Sequence, residues 1–338
     1  MKAKICLGIE STAHTFGVGI VTDSGKILAN VKDVFTTEKG GMIPNEVAEH
    51  HKKIADKVIE DALKAANLKL EDINLISFSK GPGLAPSLLV GMKKAKELAK
   101  KLNIPLVGVN HCVAHLEIGN LVTGAKDPVL LYASGVNTQV IAFEGGKYRI
   151  FGETLDIGVG NFLDSFAREL EIGFPGGPKI EQLAKQSTDY IELPYAVKGM
   201  DVSFGGMLTN LKQKIKSGKH SKEDLAFSCQ ETAFAMLIEV SERAMAHCGK
   251  KELLLGGGVC CNKRLREMAE TMCRERNAQC FIPENQFLVD NAAMIAWQGI
   301  IEHKAGRTEN LETVDIMPHW RTDQVDAVWR KQGSPIVN

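Results

Sequence analysis

His111 and His115 stand four residues apart in Asn110-His111-Cys112-Val113-Ala114-His115-Leu116-Glu117. If that stretch is helical, both imidazoles project from one face and can ligate a single metal ion. The same spacing also suits two ordinary histidines on a half-buried helix. Two ligands rarely hold a metal, so a further donor is required. A zinc-protease helix carries a general-base Glu directly after its first His, whereas Cys112 holds that place here. The pair therefore points to metal chemistry other than peptide hydrolysis. Asp290, in Val289-Asp290-Asn291-Ala292, is a carboxylate of the kind the histidines need, although its place ahead of an apolar run equally suits a helix N-cap.

Three other stretches could meet a nucleotide. Glu10-Ser11-Thr12 and Ser134-Gly135-Val136-Asn137-Thr138 each end an apolar run. Small residues there let backbone N–H groups approach phosphate oxygens, and hydroxyls add donors; ordinary hairpin turns look the same. Gly256-Gly257-Gly258 leads towards Asn262. Glycines at such a point admit an adenosine closely, and Asn262 can hydrogen-bond a ribose or phosphate. The GxGxxG spacing of a dinucleotide site is missing. Asn161 and Asp164 open a predicted helix, where they bind a ligand hydroxyl or amine or merely cap. Lysines gather at Lys93, Lys94, Lys96, Lys100 and Lys101, and at Lys212, Lys214, Lys216, Lys219 and Lys222. Such runs are solvated faces or RNA-backbone contacts.

The elements that must position these residues follow a repeated plan. Residues 4–34 read as three strands joined by short turns, and 129–155 repeat them, with Gly25-Lys26 aligned on Gly146-Lys147. This predicts an internal duplication. Each meander is followed by helices and strands, with helices expected over 44–67, 86–102, the His111 stretch, 161–170, 180–187, 225–248, 262–276 and 290–303. The fold class is α/β: a duplicated actin-like ATPase (ASKHA) fold, two similar domains with a ligand cleft between them. The expected domains are 1–126 and 127–305, followed by an extension, 306–338, with no chemistry of its own.

Composition agrees. A chain of 338 residues exceeds what one core usually serves. Its 41 basic and 41 acidic residues cancel, which leaves nucleic-acid contact to local patches. Eight cysteines without a CxxC pair read as reduced thiols. Neither a secretory signal nor a membrane-spanning run is present, so a cytoplasmic protein without membrane contact is expected.

Taken in order, Gly8-Ile9-Glu10-Ser11-Thr12-Ala13-His14-Thr15, Gly81-Pro82-Gly83-Leu84, Asn110-His111-Cys112-Val113-Ala114-His115, Ser134-Gly135-Val136-Asn137-Thr138-Gln139, Gly152-Glu153-Thr154-Leu155-Asp156, Gly176-Gly177-Pro178, Asp201-Val202-Ser203-Phe204, Gly257-Gly258-Val259 and Asp290-Asn291 resemble the TsaD/Kae/Qri family. The Ala13-His14-Thr15 form of the first loop resembles its archaeal and eukaryotic branch. The resemblance implies a tRNA threonylcarbamoyltransferase, the catalytic subunit of KEOPS. It would move the acyl group from threonylcarbamoyl-AMP to the exocyclic amine of the adenosine 3′ of the anticodon. It implies one divalent metal ion, iron or zinc, on His111, His115 and Asp290, with Tyr132 a further ligand. It implies an adenine nucleotide or threonylcarbamoyl-AMP lined by Ser134, Gly135, Val136, Asp164, Gly177, Glu181 and Asn262. The implied partners are tRNA, a small atypical protein kinase and a small dimerising subunit. Val136 and Ala292 stand where the family usually has smaller residues. No general base is evident. An actin-like small-molecule kinase, a metalloprotease and a nucleotide-gated scaffold are the rival readings.

Overall fold

Strands β1 (Ile5–Glu10), β2 (Thr15–Thr22) and β3 (Ile27–Val34) form the first meander. Nearly every residue of β1 and β2 is buried, which is why they read as continuous apolar runs instead of alternating ones. Helix α1 (Pro44–Ala66) begins with Pro in its first turn and ends at Asn67 in the left-handed conformation, the usual start and stop chemistry. Then come β4 (Leu75–Gly81), α2 (Ala85–Leu102), β5 (Leu106–Asn110) and α3 (His111–Thr123). The sheet order is β3-β2-β1-β4-β5, with β1 antiparallel to β2 and parallel to β4.

The second meander is β6 (Val129–Ala133), β7 (Thr138–Glu144) and β8 (Lys147–Glu153). It is followed by α4 (Val159–Glu169), α5 (Gly176–Ala184), the short pair β9 (Val197–Lys198) and β10 (Asp201–Val202), α6 (Gly205–Ser217), α7 (Lys222–Cys248), β11 (Glu252–Gly256), α8 (Lys263–Glu275), β12 (Gln279–Phe281) and α9 (Asn285–Leu288). The order β8-β7-β6-β11-β12 repeats the connectivity of the first sheet, as duplication requires. Helix α10 (Ala292–Lys304) and the short α11 (Val328–Lys331) close the chain. The computed structural model describes residues 4–36 and 43–331. The last part of the expected extension, 332–338, lies outside the described residues. Among them, no helix is long and apolar enough to cross a membrane.

Residues up to Val122 join those from Asp290 onward in one compact unit, and Thr123–Val289 form the other. The observed division differs from the expected 127–305 in the ownership of α10. That helix lies on β1, β2 and β4. A Cβ on Gly8 would stand 2.3 Å from the Ala296 backbone N, and one on Gly19 would stand 2.3 Å from the Ala292 carbonyl carbon. Only glycine lets a helix backbone approach a sheet this closely. Helix α10 is buried on nearly all sides, so its sequence carries no polar face to show which sheet it covers.

The extension is more ordered than its polarity suggests. Glu309 N donates to Leu106 O at 2.7 Å and Met317 N to Lys80 O at 2.8 Å. Lys80 and Glu309 form an ion pair at 2.6 Å. From Thr322 to Trp329 the extension buries Thr322, Val325, Ala327 and Trp329 in the first unit. The sequence does not announce these, because the anchors are scattered backbone contacts without periodicity.

Candidate metal centre and nucleotide loops

In the first unit β5 runs directly into α3. Asn110 ends the strand, and its Oδ1 accepts from Cys112 N at 3.0 Å and Val113 N at 3.1 Å, capping the helix. This sets His111 in the first turn and His115 one turn later, with ring centroids 4.8 Å apart. Asp290 comes from the residues just before α10. The alternative that it caps that helix fails: Asn291 is the N-cap, its Oδ1 accepting from Met294 N at 3.1 Å. The Asp290 carboxylate turns instead to the histidines. Its Oδ1 stands 3.4 Å from His111 Nε2 and 3.5 Å from His115 Nε2. Ala292, where a smaller residue was expected, is fully buried, and Asn30 Oδ1 accepts from its N–H at 3.2 Å.

Glu10 ends β1 and is fully buried. Its Oε2 accepts from His111 Nδ1 at 3.0 Å, while its Oε1 accepts from Thr12 N at 2.7 Å and Thr12 Oγ1 at 2.5 Å. By sequence Glu10 belongs with Ser11 and Thr12 to a phosphate loop. The structure turns its carboxylate onto the histidine and back onto its own loop. Ser11 is buried too, its N–H donating to Ser79 Oγ at 3.0 Å. A Glu–His pair separated by 101 residues leaves no spacing signal.

These residues fit a metal. Two imidazole nitrogens and one carboxylate oxygen lie within 4.8 Å of one another. Separations of 3.4 and 3.5 Å are long for charge-assisted hydrogen bonds. They are close to the edge of a tetrahedron with metal–ligand bonds of about 2.0–2.1 Å, roughly 3.3–3.4 Å. The Glu10–Nδ1 contact is the carboxylate–histidine arrangement that leaves Nε2 as the donor. Side-chain exposures are 6% for His111, 1% for His115 and 19% for Asp290, so of the three the carboxylate is the edge open to solvent.

Electrostatics bind the three together. Burial disfavours the His111 cation, but Glu10 and Asp290 outweigh it and raise the imidazole well above its ordinary range. At His115 burial prevails and lowers the value, with the neighbouring His111 adding to the effect. Burial acts to raise Asp290, yet the two histidines hold it well below the usual carboxylate range. One proton shared in this way is the charge a cation would replace.

The second unit gathers its candidates at the carboxyl ends of β6 and β11. Ser134 Oγ accepts from Asn137 N at 3.1 Å, which closes the 134–137 turn. The start of α4 packs against that turn: Gly160 N donates to Ser134 O at 3.0 Å and Asn161 N to Gly135 O at 2.9 Å. Gly257 has φ +89°, and a Cβ there would stand 2.3 Å from Ala133 O, so the glycine run after β11 lies against the end of β6; Gly258 follows it in a short 3-10 turn. Asp164 Oδ1 accepts from Gly176 N at 2.7 Å, tying α4 to the start of α5, where Gly177 stands. Glu181 Oε1 accepts from Lys263 N at 3.4 Å. Asn262 caps α8 through Oδ1 and donates from Nδ2 to Gln230 Oε1 at 2.8 Å. Val136 is 68% exposed, so its bulk points to solvent and does not crowd the turn. Tyr132 lies on β6 with its side chain buried.

The lysine runs fall on α2, on α6 and after α6. Several are engaged: Lys94 pairs with Asp56 and Glu97, Lys100 with Glu312 and Lys212 with Glu169.

A family model described as TsaD, tRNA N6-adenosine threonylcarbamoyltransferase, matches residues 26–297. The chain is 56% identical over 325 residues to the tRNA N6-adenosine threonylcarbamoyltransferase of Thermococcus kodakarensis, covering 96% of this chain and 99% of that protein. It is 52% identical over 328 residues to a probable bifunctional tRNA threonylcarbamoyladenosine biosynthesis protein of Methanothermobacter thermautotrophicus, covering 97% of this chain and 61% of that protein. Among solved structures, HypF of T. kodakarensis matches with TM-score 0.63 at 16% identity, over 89% of this chain and 48% of that one. Component A of the Acidaminococcus fermentans (R)-2-hydroxyglutaryl-CoA dehydratase matches at 0.56 and 16% identity, over 91% and 100%. At such identities the likeness is one of fold, the duplicated actin-like α/β fold.

Proposed function

The chain belongs to the TsaD family of tRNA N6-adenosine threonylcarbamoyltransferases, and from that premise we propose that threonylcarbamoyl-AMP is its donor and KEOPS its working complex. Acyl transfer to tRNA is the family's activity. In the proposed reaction the exocyclic amine of the adenosine 3′ of the anticodon attacks the carbamoyl carbon. A C–N bond forms, the C–O bond to phosphate breaks, AMP leaves with the bonding pair, and the amine gives up one proton.

The chain's own residues have distinct tasks in this reading. The backbone N–H groups of Gly135 and Val136, in the turn that Ser134 and Asn137 close, hold the phosphate and stabilise charge on the departing AMP. Gly257 and Gly258 admit the adenosine without side-chain obstruction, and Asp164, Glu181, Gly177 and Asn262 line the rest of the donor site. His111, His115 and Asp290 are the residues that hold the metal, iron or zinc, with Tyr132 a further candidate ligand. When bound, the metal supplies Lewis-acid polarisation of an acyl or phosphate oxygen. Glu10 keeps the His111 proton on Nδ1, which frees Nε2 as a donor.

The observation that carries the metal assignment is the convergence of the three donors behind a buried Glu10. The proposed partners are tRNA, a small atypical protein kinase and a small dimerising subunit, in the cytoplasm. A relative named bifunctional, of which the chain matches 61%, supports a module working beside this chain. The helices before Lys80 are one candidate contact surface. The deciding experiment supplies threonylcarbamoyl-AMP and unmodified tRNA to the purified chain, adds partners one at a time and measures modified adenosine. Modification that requires donor, tRNA and partners is expected. If the complete mixture leaves tRNA unmodified, the donor and complex are wrong; ATP-dependent phosphorylation of a small molecule instead would favour the kinase reading.

A further inference from the structure

Glu117 lies two residues beyond His115 on α3, and two residues turn the helix through about 200°, so its side chain leaves the opposite side from the metal donors. It is buried, with a side-chain exposure of 3%. Among the described residues, side-chain donors meet both of its oxygens. Arg330 Nε donates to Oε1 at 3.0 Å and Trp329 Nε1 to the same oxygen at 3.3 Å, while Asn120 Nδ2 donates to Oε2 at 3.2 Å. Two of these come from α11, more than 200 residues later in the chain. A buried carboxylate is tolerated when paired and costly when its partner is removed.

The same segment reaches the other end of α3. Trp320 O accepts from Asn110 Nδ2 at 3.1 Å, and Asn110 is the residue whose Oδ1 caps the helix. Helix α11 also packs on α10, the helix that follows Asp290. The closing residues thus grip the start and middle of the helix carrying His111 and His115, and touch the helix behind the third donor.

We propose that Trp320–Arg330 is a positioning clamp for the metal donors, with Arg330 and Trp329 acting through Glu117, and Trp320 through Asn110. The clamp sets the rotation of α3, and so the direction of both Nε2 atoms. None of these residues touches the metal or substrate; they are positioning residues. The proposal rests on reading His111, His115 and Asp290 as the metal site.

The test uses the full chain in four versions: Arg330→Ala, Arg330→Lys, Glu117→Gln and the Glu117→Gln/Arg330→Ala double variant. Metal affinity is measured by chelator competition with zinc and with ferrous iron, at a temperature where thermal denaturation shows every version folded. Arg330→Ala should weaken affinity about tenfold, the lower end for residues that orient ligands. Arg330→Lys should recover part of that loss, and the double variant should lose less than the two single losses combined, because the buried charge is removed with its partner. Wild-type affinity in Arg330→Ala, whatever its melting temperature, overturns the clamp. If Arg330→Ala does not fold, Glu117→Gln decides alone: a wild-type affinity there overturns it. His111→Ala, measured alongside, separates the two readings. Its loss of metal with Arg330→Ala unaffected defeats the clamp only, whereas its retention of metal defeats the site itself.

Discussion

Glu10→Gln preserves the shape of a fully buried side chain and removes its charge. Glu10 accepts from His111 Nδ1 at one oxygen and from Thr12 N and Oγ1 at the other. An amide has one oxygen and one NH2 group. With the oxygen towards Thr12, the NH2 faces the His111 Nδ1 proton. The imidazole escapes that clash only by carrying its proton on Nε2, the nitrogen that faces Asp290. With the amide reversed, the NH2 meets Thr12 N–H, which has no alternative proton position. Either way metal binding is impaired, by the 10–100-fold typical of a lost ligand-orienting partner, about 1.4–2.7 kcal/mol. A second effect runs the other way. Glu10 also helps hold the metal-free His111 protonated well above its ordinary range, and the metal must displace that proton. Wild-type affinity therefore falls as pH drops through the raised value, and the variant's fall shifts towards the ordinary histidine range. The deficit should be largest in alkali and narrow in acid. Chelator competition from about pH 6 to about pH 9 reads both effects. Wild-type affinity in alkali, or a deficit independent of pH, would refute the reasoning.

Three further outcomes are expected. In chelated protein, the depressed Asp290 gives stability that is present above the ordinary carboxylate range and lost as pH falls through its folded value. The raised His111 gives stability that is present below the ordinary histidine range and lost as pH rises through its folded value. The urea midpoint should therefore decline on both sides of neutrality, and Asp290→Asn should flatten both arms; a midpoint still climbing into alkali contradicts this. Burial raises Glu302 to about 7, so the neutral acid is favoured in the fold and stability is lost as pH rises from the ordinary glutamate range through 7. Glu302→Gln should then stabilise by about 3 kcal/mol at pH ~8 and by little at pH ~5, and equal urea shifts at both would count against it. Gly257→Ala places a Cβ 2.3 Å from Ala133 O at φ +89°. It should destabilise by about 1–3 kcal/mol and weaken adenine-nucleotide binding to the chain; unchanged calorimetric binding would remove the glycine run from the donor site.

The repeat was legible because each meander carries its own turn chemistry: Asp23-Ser24-Gly25 and Glu144-Gly145-Gly146 announce hairpins locally. His111 and His115 were legible through helical spacing. Asp290 was legible only as a carboxylate at a helix start, and its neighbour Asn291 proved to be the cap, which sequence cannot decide when two good capping residues adjoin. Glu10 and the Glu117–Arg330 contact were illegible, since pairs about 100 and 213 residues apart leave no periodic trace. Helix α6 is not legible in the sequence, because its lysine-rich face reads as readily as loop, with Met207 and Leu211 the buried anchors.

The first unit is discontinuous, and this sets an order of assembly during synthesis. Its sheet needs α10 against Gly8 and Gly19, and its third proposed metal donor is Asp290. Both arrive about 170 residues after Val122 has been made. At about 5–20 residues per second, the first sheet waits roughly ten to thirty seconds with one apolar face uncovered. The continuous unit, Thr123–Val289, is complete during that interval. A nascent chain halted before Asp290 would hold one finished unit and one unfinished one with two histidines but no metal centre. The proposed metal centre would thus be among the last parts of the nascent chain to form.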